Sequence, residues 1–345
     1  MPPRGGVRCG PPEERTSNWT GEKQMTLRWG LIGAGDIANK SVAPAIQADP
    51  KSELIAVCRR DEDLLADFAD KFSIPRRYTT ATQLLEDPDI DAVYLATPVD
   101  CHCSQAVAAA RAGKHVLCEK PMAVDPDECT QMVEACEAAK VQLAVAYYRR
   151  FYPALGRIRA WIQEGRLGRV LSVGCVTGNP NRFPHDDWRV VQNRGGGGPL
   201  MDIGSHRLDL LLSLFGPADR VQASIGASPD YEAEETATLL IDFQGGVVGI
   251  LQCYFGTINT PDRLEIIGTD GRIQIEDLNS GEVVFANGQV IEREDHPPTD
   301  IRHAPLIHDF SDAIKRQVAP AVTGRFAKQT NELIALAYAQ KSIGS

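Results

Sequence analysis

The feature that most constrains the fold of this chain is a series of short apolar segments that do not alternate with polar residues. The segments cover residues 27–32, 53–58, 91–96, 115–118 and 142–147. Between them lie stretches with the apolar periodicity of helices. Continuous apolar segments are typical of strands in parallel sheets, because helices cover both faces of such a sheet. The first half of the chain is therefore predicted to be an α/β domain with a parallel sheet.

Apolar segments in the second half are instead paired around short turns. Residues 235–243 and 247–255 flank Gln244-Gly245-Gly246, and residues 263–268 and 272–276 flank Asp270-Gly271. Short glycine-containing turns between two apolar segments indicate antiparallel hairpins. We therefore expect an α+β second half with a mostly antiparallel sheet.

The first apolar segment runs directly into a glycine turn. Gly33-Ala34-Gly35-Asp36-Ile37-Ala38 is a GxGxxA sequence that opens a helix within a strand–helix–strand unit. Glycines at these positions let backbone amides approach a pyrophosphate, whose charge the helix N-terminus stabilises. The sequence therefore predicts a Rossmann dinucleotide-binding domain, with Gly33, Gly35, Asp36 and Ile37 at the cofactor.

These patterns divide the chain into three parts. Residues 26–148 are predicted to form the Rossmann domain, and residues 149–345 the α+β substrate domain. Residues 1–25 are rich in Pro and Gly and have almost no large aliphatic side chains, so they are predicted to be a disordered tail.

The segment after the second strand bears on the choice of cofactor. It reads Cys58-Arg59-Arg60-Asp61, at the place where NAD enzymes carry an acidic residue for the ribose 2′-hydroxyl. A guanidinium there pairs with the 2′-phosphate of NADP(H), whereas a carboxylate repels it. Arg59 and Arg60 therefore favour NADP(H) over NAD(H), while Asp61 argues for NAD(H). The alternative for the two arginines is a solvated surface position.

Charge and hydropathy exclude two other classes of protein. The chain has 36 Lys and Arg against 46 Asp and Glu, which gives a net charge of −10 without a long basic run. A general nucleic-acid binder is therefore excluded. No apolar segment approaches the roughly 18 to 20 residues that span a bilayer, so we expect no membrane partner.

The cysteines indicate a reducing environment. There are nine of them, without regular spacing and without a recognisable secretory leader, which predicts free thiols in a cytoplasmic protein. Cys101-His102-Cys103 has no second pair at zinc-like spacing, so no metal site is predicted.

Polar residues lie at two places where ligands could bind. Lys120, in Cys118-Glu119-Lys120-Pro121, follows a buried strand at the edge where α/β sheets bind ligands. Taken alone, it is either a solvated cation or a donor to a substrate hydroxyl. A helix that starts near Asp202 would place four polar residues on one stripe of a mostly apolar surface: Asp202, His206, Asp209 and Ser213. Such a stripe lines a cavity or faces water.

Together these motifs resemble the glucose-fructose oxidoreductase, inositol dehydrogenase and MocA (Gfo/Idh/MocA) family. The resemblance is carried by the glycine turn, by Ala96-Thr97-Pro98 before His102, by residues 112–121, and by a glycine run at 196–198 that leads to Asp202-Ile203-Gly204-Ser205-His206. It extends from Leu27 to the C-terminus, where residues 305–314 match the closing helix. The part of the resemblance that is most specific to the family is a Glu-Lys-Pro element followed by an Asp-x-x-x-His element.

The resemblance implies a nicotinamide-dependent oxidoreductase that acts on a sugar, a cyclitol or a related polyol. It implies that Lys120 is the active-site lysine and that Asp202 and His206 are the substrate-facing acid and base. It also implies a homo-oligomer, a dimer or a tetramer, formed through the open sheet of the C-terminal domain.

The resemblance further implies that Thr97 and Pro98 lie beside the nicotinamide ribose, with His102 and Glu119 also at the cofactor. Two positions depart from many relatives. Arg59 replaces an acid, which supports NADP(H), and Tyr148 stands where many relatives have Asn.

The mechanism expected on this basis is reversible hydride transfer. His206 would exchange the hydroxyl proton, because imidazole titrates near neutral pH. Lys120 would stabilise the developing charge on the oxygen. Asp202 would orient His206 or hold a neighbouring hydroxyl.

The expected substrate wall consists of arginines, an amide and an aromatic ring suited to stack on a sugar: Arg149, Arg150, Asn179 and Trp188.

Two other functions fit the same fold, because one fold hosts several activities. One is a catalytically silent, NADP-sensing regulatory protein, and the other is an NAD-dependent glycosidase. The presence of Lys120, Asp202 and His206 together argues against the first, since a sensor needs none of them. Release of free sugar without net cofactor turnover would identify the second.

Overall fold

The computed structural model describes residues 26–340, so the predicted tail at 1–25 lies outside the described residues. The strands are β1 Leu27–Ile32, β2 Ser52–Cys58, β3 Arg76–Tyr78, β4 Ala92–Leu95, β5 His115–Cys118, β6 Leu143–Val145, β7 Val170–Asn179, β8 Ala218–Ala227, β9 Glu234–Phe243, β10 Val248–Phe255, β11 Arg263–Gly268, β12 Arg272–Ile275, β13 Glu282–Ala286 and β14 Ile291–Asp295. The α-helices are α1 Ala43–Ala48, α2 Glu62–Lys71, α3 Ala81–Leu85, α4 His102–Arg111, α5 Pro126–Ala138, α6 Pro153–Gln163, α7 Gln192–Gly195, α8 Ser205–Phe215, α9 Ala304–Arg316 and α10 Gly324–Ala339. Single 3₁₀ turns occupy Val99–Cys101 and Tyr148–Phe151, and π-helical turns occupy Ala38–Val42 and Leu200–Gly204.

The first six strands form a parallel sheet in the order β3-β2-β1-β4-β5-β6. This is the strand order of a Rossmann fold, and it confirms the predicted α/β domain. The additional strand, β3, was not predicted. Its Arg-Arg-Tyr sequence is short and not buried, because β3 lies at the edge of the sheet.

The remaining strands form a second sheet in the order β14-β13-β12-β11-β7-β10-β9-β8. Both predicted hairpins are confirmed, since β9 pairs antiparallel with β10 and β11 with β12. Only β7 and β10 are parallel neighbours within this sheet, so it is mostly antiparallel, as expected.

Helix α8 packs against one face of the second sheet and is buried from Ser205 to Leu212. Its leucines share a core with strands β9 and β10, which accounts for a helix that is apolar over most of its circumference. A π-helical turn at Leu200–Gly204 runs directly into it. Single π-helical turns occur frequently at functional sites.

The closing helix α9 packs back onto the first sheet. Leu306, Ile307 and Phe310 share a core with residues of β1, and the Phe310 ring lies 5.5 Å from the ring of Trp29 between centroids. Helix α10 packs against α5. The domain boundary between residues 148 and 149 stays a prediction. No helix within residues 26–340 is long and apolar enough to cross a membrane.

Candidate active site

Two adjoining cavities lie at the carboxyl ends of the parallel strands. The first, of about 630 Å³, extends from the glycine turn to the end of β2. The second, of about 800 Å³, lies between the first sheet and the second. Gly35, Thr97 and Pro98 line both, so the cavities form one continuous cleft. Open α/β sheets bind their ligands at this edge.

The glycine turn is shaped for close approach of a ligand. Gly33 has φ of +97°, and a β-carbon there would lie 2.6 Å from the carbonyl oxygen of Ala96, so only glycine fits. A β-carbon at Gly35 would meet nothing within 4 Å, because this position faces the open cleft. Asp36 and Ile37 line the second cavity. The turn thus leaves the space against its backbone that the pyrophosphate of a dinucleotide requires.

Arg59 and Arg60 line the first cavity, beyond the glycine turn. The Arg59 guanidinium donates to the carbonyl oxygen of Ala34, which holds it beside that turn. Asp61, the residue after Arg60, caps a helix. Its carboxylate accepts a hydrogen bond of 2.9 Å from the backbone amide of Leu64 and caps α2.

A residue of the second half of the chain, Arg194, also lines the first cavity. Its Nε lies 3.4 Å from Oδ2 of Asp100, in the turn that precedes α4. Arg194 could not be identified from the sequence, because it belongs to a four-residue helix far along the chain and follows no cofactor-binding pattern.

Lys120 and Asp202 form an ion pair in the second cavity. Lys120 Nζ lies 2.7 Å from Oδ1 of Asp202 and 3.0 Å from its carbonyl oxygen. The two side chains are only 16% and 19% exposed. The contact joins the end of β5 to the π-helical turn before α8. It holds an ammonium group on the cavity wall, where it is placed to stabilise an oxygen anion.

His206 lies in the first turn of α8 and lines the same cavity. Burial lowers the pKa of its imidazole well below the usual range, and the positive charges of Lys120, Arg149 and Arg207 act in the same direction. The ring is therefore neutral at physiological pH and can accept a proton. The aromatic rings of Tyr147 and Tyr148 pack edge-on against it, at centroid distances of 5.7 and 5.0 Å.

Asp202 does not orient His206, contrary to one of the two roles expected for it. Within residues 26–340 its carboxylate accepts from Lys120, and no hydrogen bond links it to the imidazole. The ring orientation of His206 is set by the tyrosines that pack on it.

Glu119 lines the second cavity as an ionised, buried side chain. Burial alone would raise its pKa, but contacts with His303 and Tyr94 and the charge of Lys120 lower it. The Tyr94 hydroxyl donates to Oε1 at 2.6 Å, and Nε2 of His303 lies 3.3 Å from the same oxygen. This carboxylate fixes the backbone beside Lys120, whose amide donates to Oε2 at 3.1 Å.

His102, which the resemblance places at the cofactor, lies behind the residues that line the cleft. The ring is fully buried and lines neither cavity. Its Nε2 lies 3.0 Å from the carbonyl oxygen of Thr97, and its Nδ1 lies 3.1 Å from that of Pro121. Burial lowers the pKa of this imidazole, so the ring carries a single N–H and donates to one of the two loops, depending on its tautomer. A buried ring needs such partners, because an unpaired polar group in the interior is costly.

Three of the four residues expected in the substrate wall do line the second cavity. They are Arg149, Asn179 and Trp188.

Both halves of the chain are similar to known proteins. Residues 27–147 match the Gfo/Idh/MocA family model, an oxidoreductase family with an NAD-binding Rossmann fold, and residues 155–274 match the Gfo/Idh/MocA C-terminal domain. The chain is 33% identical over 279 residues to trans-1,2-dihydrobenzene-1,2-diol dehydrogenase of Mus musculus, across 79% of this chain and 81% of that protein. The chain belongs to the Gfo/Idh/MocA oxidoreductase family.

Other relatives of this Gfo/Idh/MocA oxidoreductase act on sugars, according to their names. It is 31% identical over 305 residues to D-xylose 1-dehydrogenase (NADP(+)) 2 of Haloferax volcanii, across 86% of this chain and 91% of that protein. Its fold matches the crystal structure of aldose-aldose oxidoreductase from Caulobacter crescentus complexed with glycerol, with a TM-score of 0.86 and 26% identity. That match covers 93% of this chain and 98% of the other. The protein is therefore an enzyme, an NAD(P)-dependent oxidoreductase.

Arg150, the fourth residue expected in the substrate wall, does not line the cavity of this Gfo/Idh/MocA oxidoreductase. Its guanidinium binds Asp209, a fully buried residue of α8, with Nε 2.6 Å from Oδ2. Burial raises the pKa of Asp209 to about 6, although Arg150 opposes the shift. Of the residues on the predicted polar stripe, Asp209 therefore pairs with Arg150, whereas Asp202 and His206 face the cavity.

Replacing Arg150 with Met should lower the free energy of unfolding by about 3 to 5 kcal/mol, because it leaves the Asp209 carboxylate buried without a partner. Loss of the arginine raises the folded-state pKa of Asp209 further above its unfolded value. The penalty is then small at low pH, where Asp209 is protonated, and grows as the pH rises. Urea unfolding of Arg150→Met at about pH 5.5 and about pH 8 measures both effects.

Two variants serve as controls for this prediction. Arg150→Met combined with Asp209→Leu should recover most of the stability, because no charge is left buried. Arg220→Met removes the exposed pair with Asp242 and should change stability by less than about 1 kcal/mol. If Arg150→Met lowers the free energy of unfolding as little as Arg220→Met does, then Arg150 and Asp209 do not depend on each other for stability, and the prediction is wrong.

The polar far wall of the second cavity was not predicted from the sequence. Arg207 is 2% exposed and donates to Asp262 and to the hydroxyl of Thr177. Asp262 also accepts from Asn279 Nδ2 at 3.1 Å and from Arg149 Nη1 at 3.4 Å. These residues come from helix α8, strand β7, the 3₁₀ turn at Tyr148–Phe151 and two loops. Their side chains offer a substrate several donors and acceptors.

Proposed function

We propose that this protein catalyses reversible hydride transfer between a nicotinamide dinucleotide and a carbinol or carbonyl carbon of a sugar, a cyclitol or a related polyol. The observation that carries the proposal is the convergence of Lys120, Asp202 and His206 on a cavity that is continuous with the glycine-turn cavity. Two relatives support this substrate class, since one is named as a diol dehydrogenase and the other as a dehydrogenase of the aldose D-xylose.

The bound nicotinamide would supply the hydride acceptor in oxidation and the hydride donor in reduction. In oxidation, His206 takes the hydroxyl proton, since its imidazole is neutral and faces the cavity. Lys120 stabilises the negative charge that develops on the substrate oxygen. Asp202 holds the ammonium in place through the 2.7 Å contact and thereby sets its direction.

The second cavity suits a neutral, polyhydroxylated ring. Asn179 and Arg149 present hydrogen-bonding groups, and Trp188 presents an aromatic face on which a sugar ring can stack. Each buried hydrogen bond to a substrate hydroxyl penalises analogues that lack that hydroxyl, because the protein group is then left unpaired.

We propose NADP(H) as the preferred cofactor. Arg59, Arg60 and Arg194 all line the first cavity, which gives it three guanidinium groups for a phosphate. The acid that argues for NAD(H), Asp61, has its carboxylate engaged as the cap of α2. One relative is named as an NADP(+) enzyme.

Titration of the protein with NADPH and NADH, followed by fluorescence, should show tighter binding of NADPH. Arg59→Gln should weaken NADPH by about tenfold, which corresponds to about 1.4 kcal/mol, and should leave NADH nearly unchanged. Arg194→Gln should also weaken NADPH, because the same cavity loses a charge. Arg220→Gln, at a surface position outside both cavities, is the matched control. Tenfold tighter binding of NADH by the unmodified protein would overturn the preference.

We further propose a cytoplasmic homo-oligomer that forms through the open face of the second sheet. Leu240, Val248, Ile250 and Ile267 are all more than a third exposed on strands of this sheet. A second copy of the chain would cover them. The cysteines described between residues 26 and 340 are all free, which fits a reducing compartment. Sedimentation of the protein and of Ile250→Glu tests the interface.

A panel of polyols and aldoses with NADP(H), followed at 340 nm, tests the catalytic function. Turnover with at least one member is the expected result. Cofactor binding without turnover across the whole panel would favour the silent sensor. Release of an aryl alcohol from an aryl glycoside without net change at 340 nm would instead identify a glycosidase.

A further inference from the structure

A run of glycines leads into the helix that carries Asp202 and His206, and its path leaves no room for side chains. A β-carbon at Gly195 would lie 2.5 Å from the carbonyl oxygen of Trp188, and one at Gly196 would lie 2.6 Å from Cε of Met201. A β-carbon at Gly197 would overlap the hydroxyl of Tyr338, and one at Gly198 would overlap the backbone of Glu234. The loop is therefore clamped between Trp188, Glu234 and helix α10.

Glu234, the first residue of β9, lies directly under the start of this helix and is 2% exposed. Its Oε2 accepts from the backbone amide of Gly198 at 2.9 Å, and its Oε1 accepts from the amide of Leu200 at 3.0 Å. The Tyr338 hydroxyl of α10 donates to Oε1 at 2.9 Å. All of these donors come from elements distant in sequence, so the carboxylate joins β9, α10 and the glycine run.

The start of a helix has backbone amides without partners inside the helix, and they must be satisfied elsewhere when the helix is buried. No side chain of the run itself can do this, since it consists of glycines followed by Pro199. Glu234 supplies both acceptors from outside. Burial raises the pKa of this carboxyl, whereas the hydrogen bonds from Gly198, Leu200 and Tyr338 oppose the shift. In its ionised form the carboxylate also lies at the positive end of the helix dipole.

The two amides held by Glu234 are close to the reactive groups. Leu200 begins the π-helical turn that contains Asp202, and His206 follows one turn later in α8. A shift of the first turn would move the Asp202 carboxylate relative to Lys120 Nζ, which comes from the other sheet. A misplacement of about 1 Å can cost about 10²-fold in rate.

We propose that Glu234 is a positioning residue that fixes the register of the π-helical turn and thereby the geometry of Lys120, Asp202 and His206. Tyr338 of α10 completes this arrangement, so α10 affects the active site without touching it. The inference rests on the proposed function only for its kinetic consequence. The structural consequence, an ordered start of the helix, is independent of any substrate.

Glu234→Gln is the decisive variant, because it keeps the size of the side chain but turns an NH₂ group towards a backbone amide that needs an acceptor. Hydrogen exchange of peptides that cover residues 198–206 should accelerate by about tenfold or more. Peptides of the first sheet and the dissociation constant for NADPH should stay unchanged. Tyr338→Phe removes only one donor and should show a smaller acceleration in the same peptides. Glu235→Gln changes the next residue of the same strand and is the matched control.

The kinetic test uses the polyol with the highest turnover in the panel, with and without deuterium at the oxidised carbon. In Glu234→Gln we expect kcat per folded active site to fall by about 10²-fold and the isotope effect on kcat to increase, because the hydride step becomes slower. Glu234→Asp, which keeps the charge, should recover part of the rate. A mere loss of folded protein would lower the apparent rate without changing the isotope effect.

Unchanged exchange at residues 198–206 together with an unchanged isotope effect in Glu234→Gln would overturn the proposal. If Glu234→Gln does not fold, Tyr338→Phe is the deciding variant. Hydrogen exchange at residues 198–206 and an isotope effect equal to those of the unmodified protein would then overturn the proposal. Absence of turnover in the unmodified protein would overturn the proposed function instead, while the exchange experiment would still decide the role of Glu234.

Discussion

Lys120→Met should lower kcat by about 10²- to 10³-fold, the loss typical for removal of one donor to an oxygen anion. The ammonium lies 2.7 Å from Asp202 and is only 16% exposed, so water cannot replace it effectively. Methionine fills a similar volume but carries no charge and donates no hydrogen bond. Steady-state kinetics with the best polyol of the panel measures the effect.

Binding of NADPH by Lys120→Met should stay close to that of the unmodified protein, because the glycine turn and the arginines of the first cavity are unaffected. Lys140→Met, at an exposed position after α5, is the matched control and should retain full turnover. Full turnover in Lys120→Met would exclude Lys120 from catalysis.

His206→Asn should lower the rate of polyol oxidation by about 10²- to 10⁴-fold, the usual contribution of a general base. The pH dependence gives a second signature. Oxidation needs the neutral imidazole, so the rate falls as the pH drops through the pKa of His206. Burial and the nearby positive charges of Lys120, Arg149 and Arg207 lower that pKa well below the usual range. The acid limb of kcat/KM should therefore lie below the ordinary value for histidine, about 6.5.

In His206→Asn this acid limb should disappear from the residual activity, because the titrating group is gone. His296→Asn is the matched control, since that histidine directly follows β14 of the second sheet and lines neither cavity. An acid limb that persists unchanged in His206→Asn would assign the proton transfer to another group.

Local patterns in the sequence were sufficient to predict most of the fold. Five of the six strands of the first sheet were recognisable because each is apolar on both faces, and the hairpins were recognisable because their turns contain glycine. The glycine turn, Lys120, Asp202 and His206 follow family motifs, and the structure places all of them at one cleft.

Contacts between distant parts of the chain could not be predicted in this way. Arg149 and Arg150 are adjacent and chemically identical, yet one lines the cavity and the other binds Asp209. Their difference depends on which element packs on each side of the 3₁₀ turn at Tyr148–Phe151. The contacts of His102, Arg194 and Glu234 are likewise made with other elements of the fold. No spacing of residues in the sequence indicates these contacts.

The packing of Phe310 on Trp29 has a consequence for the biosynthesis of the chain. Trp29 belongs to β1, which leaves the ribosome long before α9, and it is fully buried in the folded protein. Part of its cover, the Phe310 ring, comes from α9, about 280 residues later in the chain. A nascent chain therefore leaves one side of this large aromatic side chain uncovered until α9 has been synthesised, a period in which chaperones have a surface to bind.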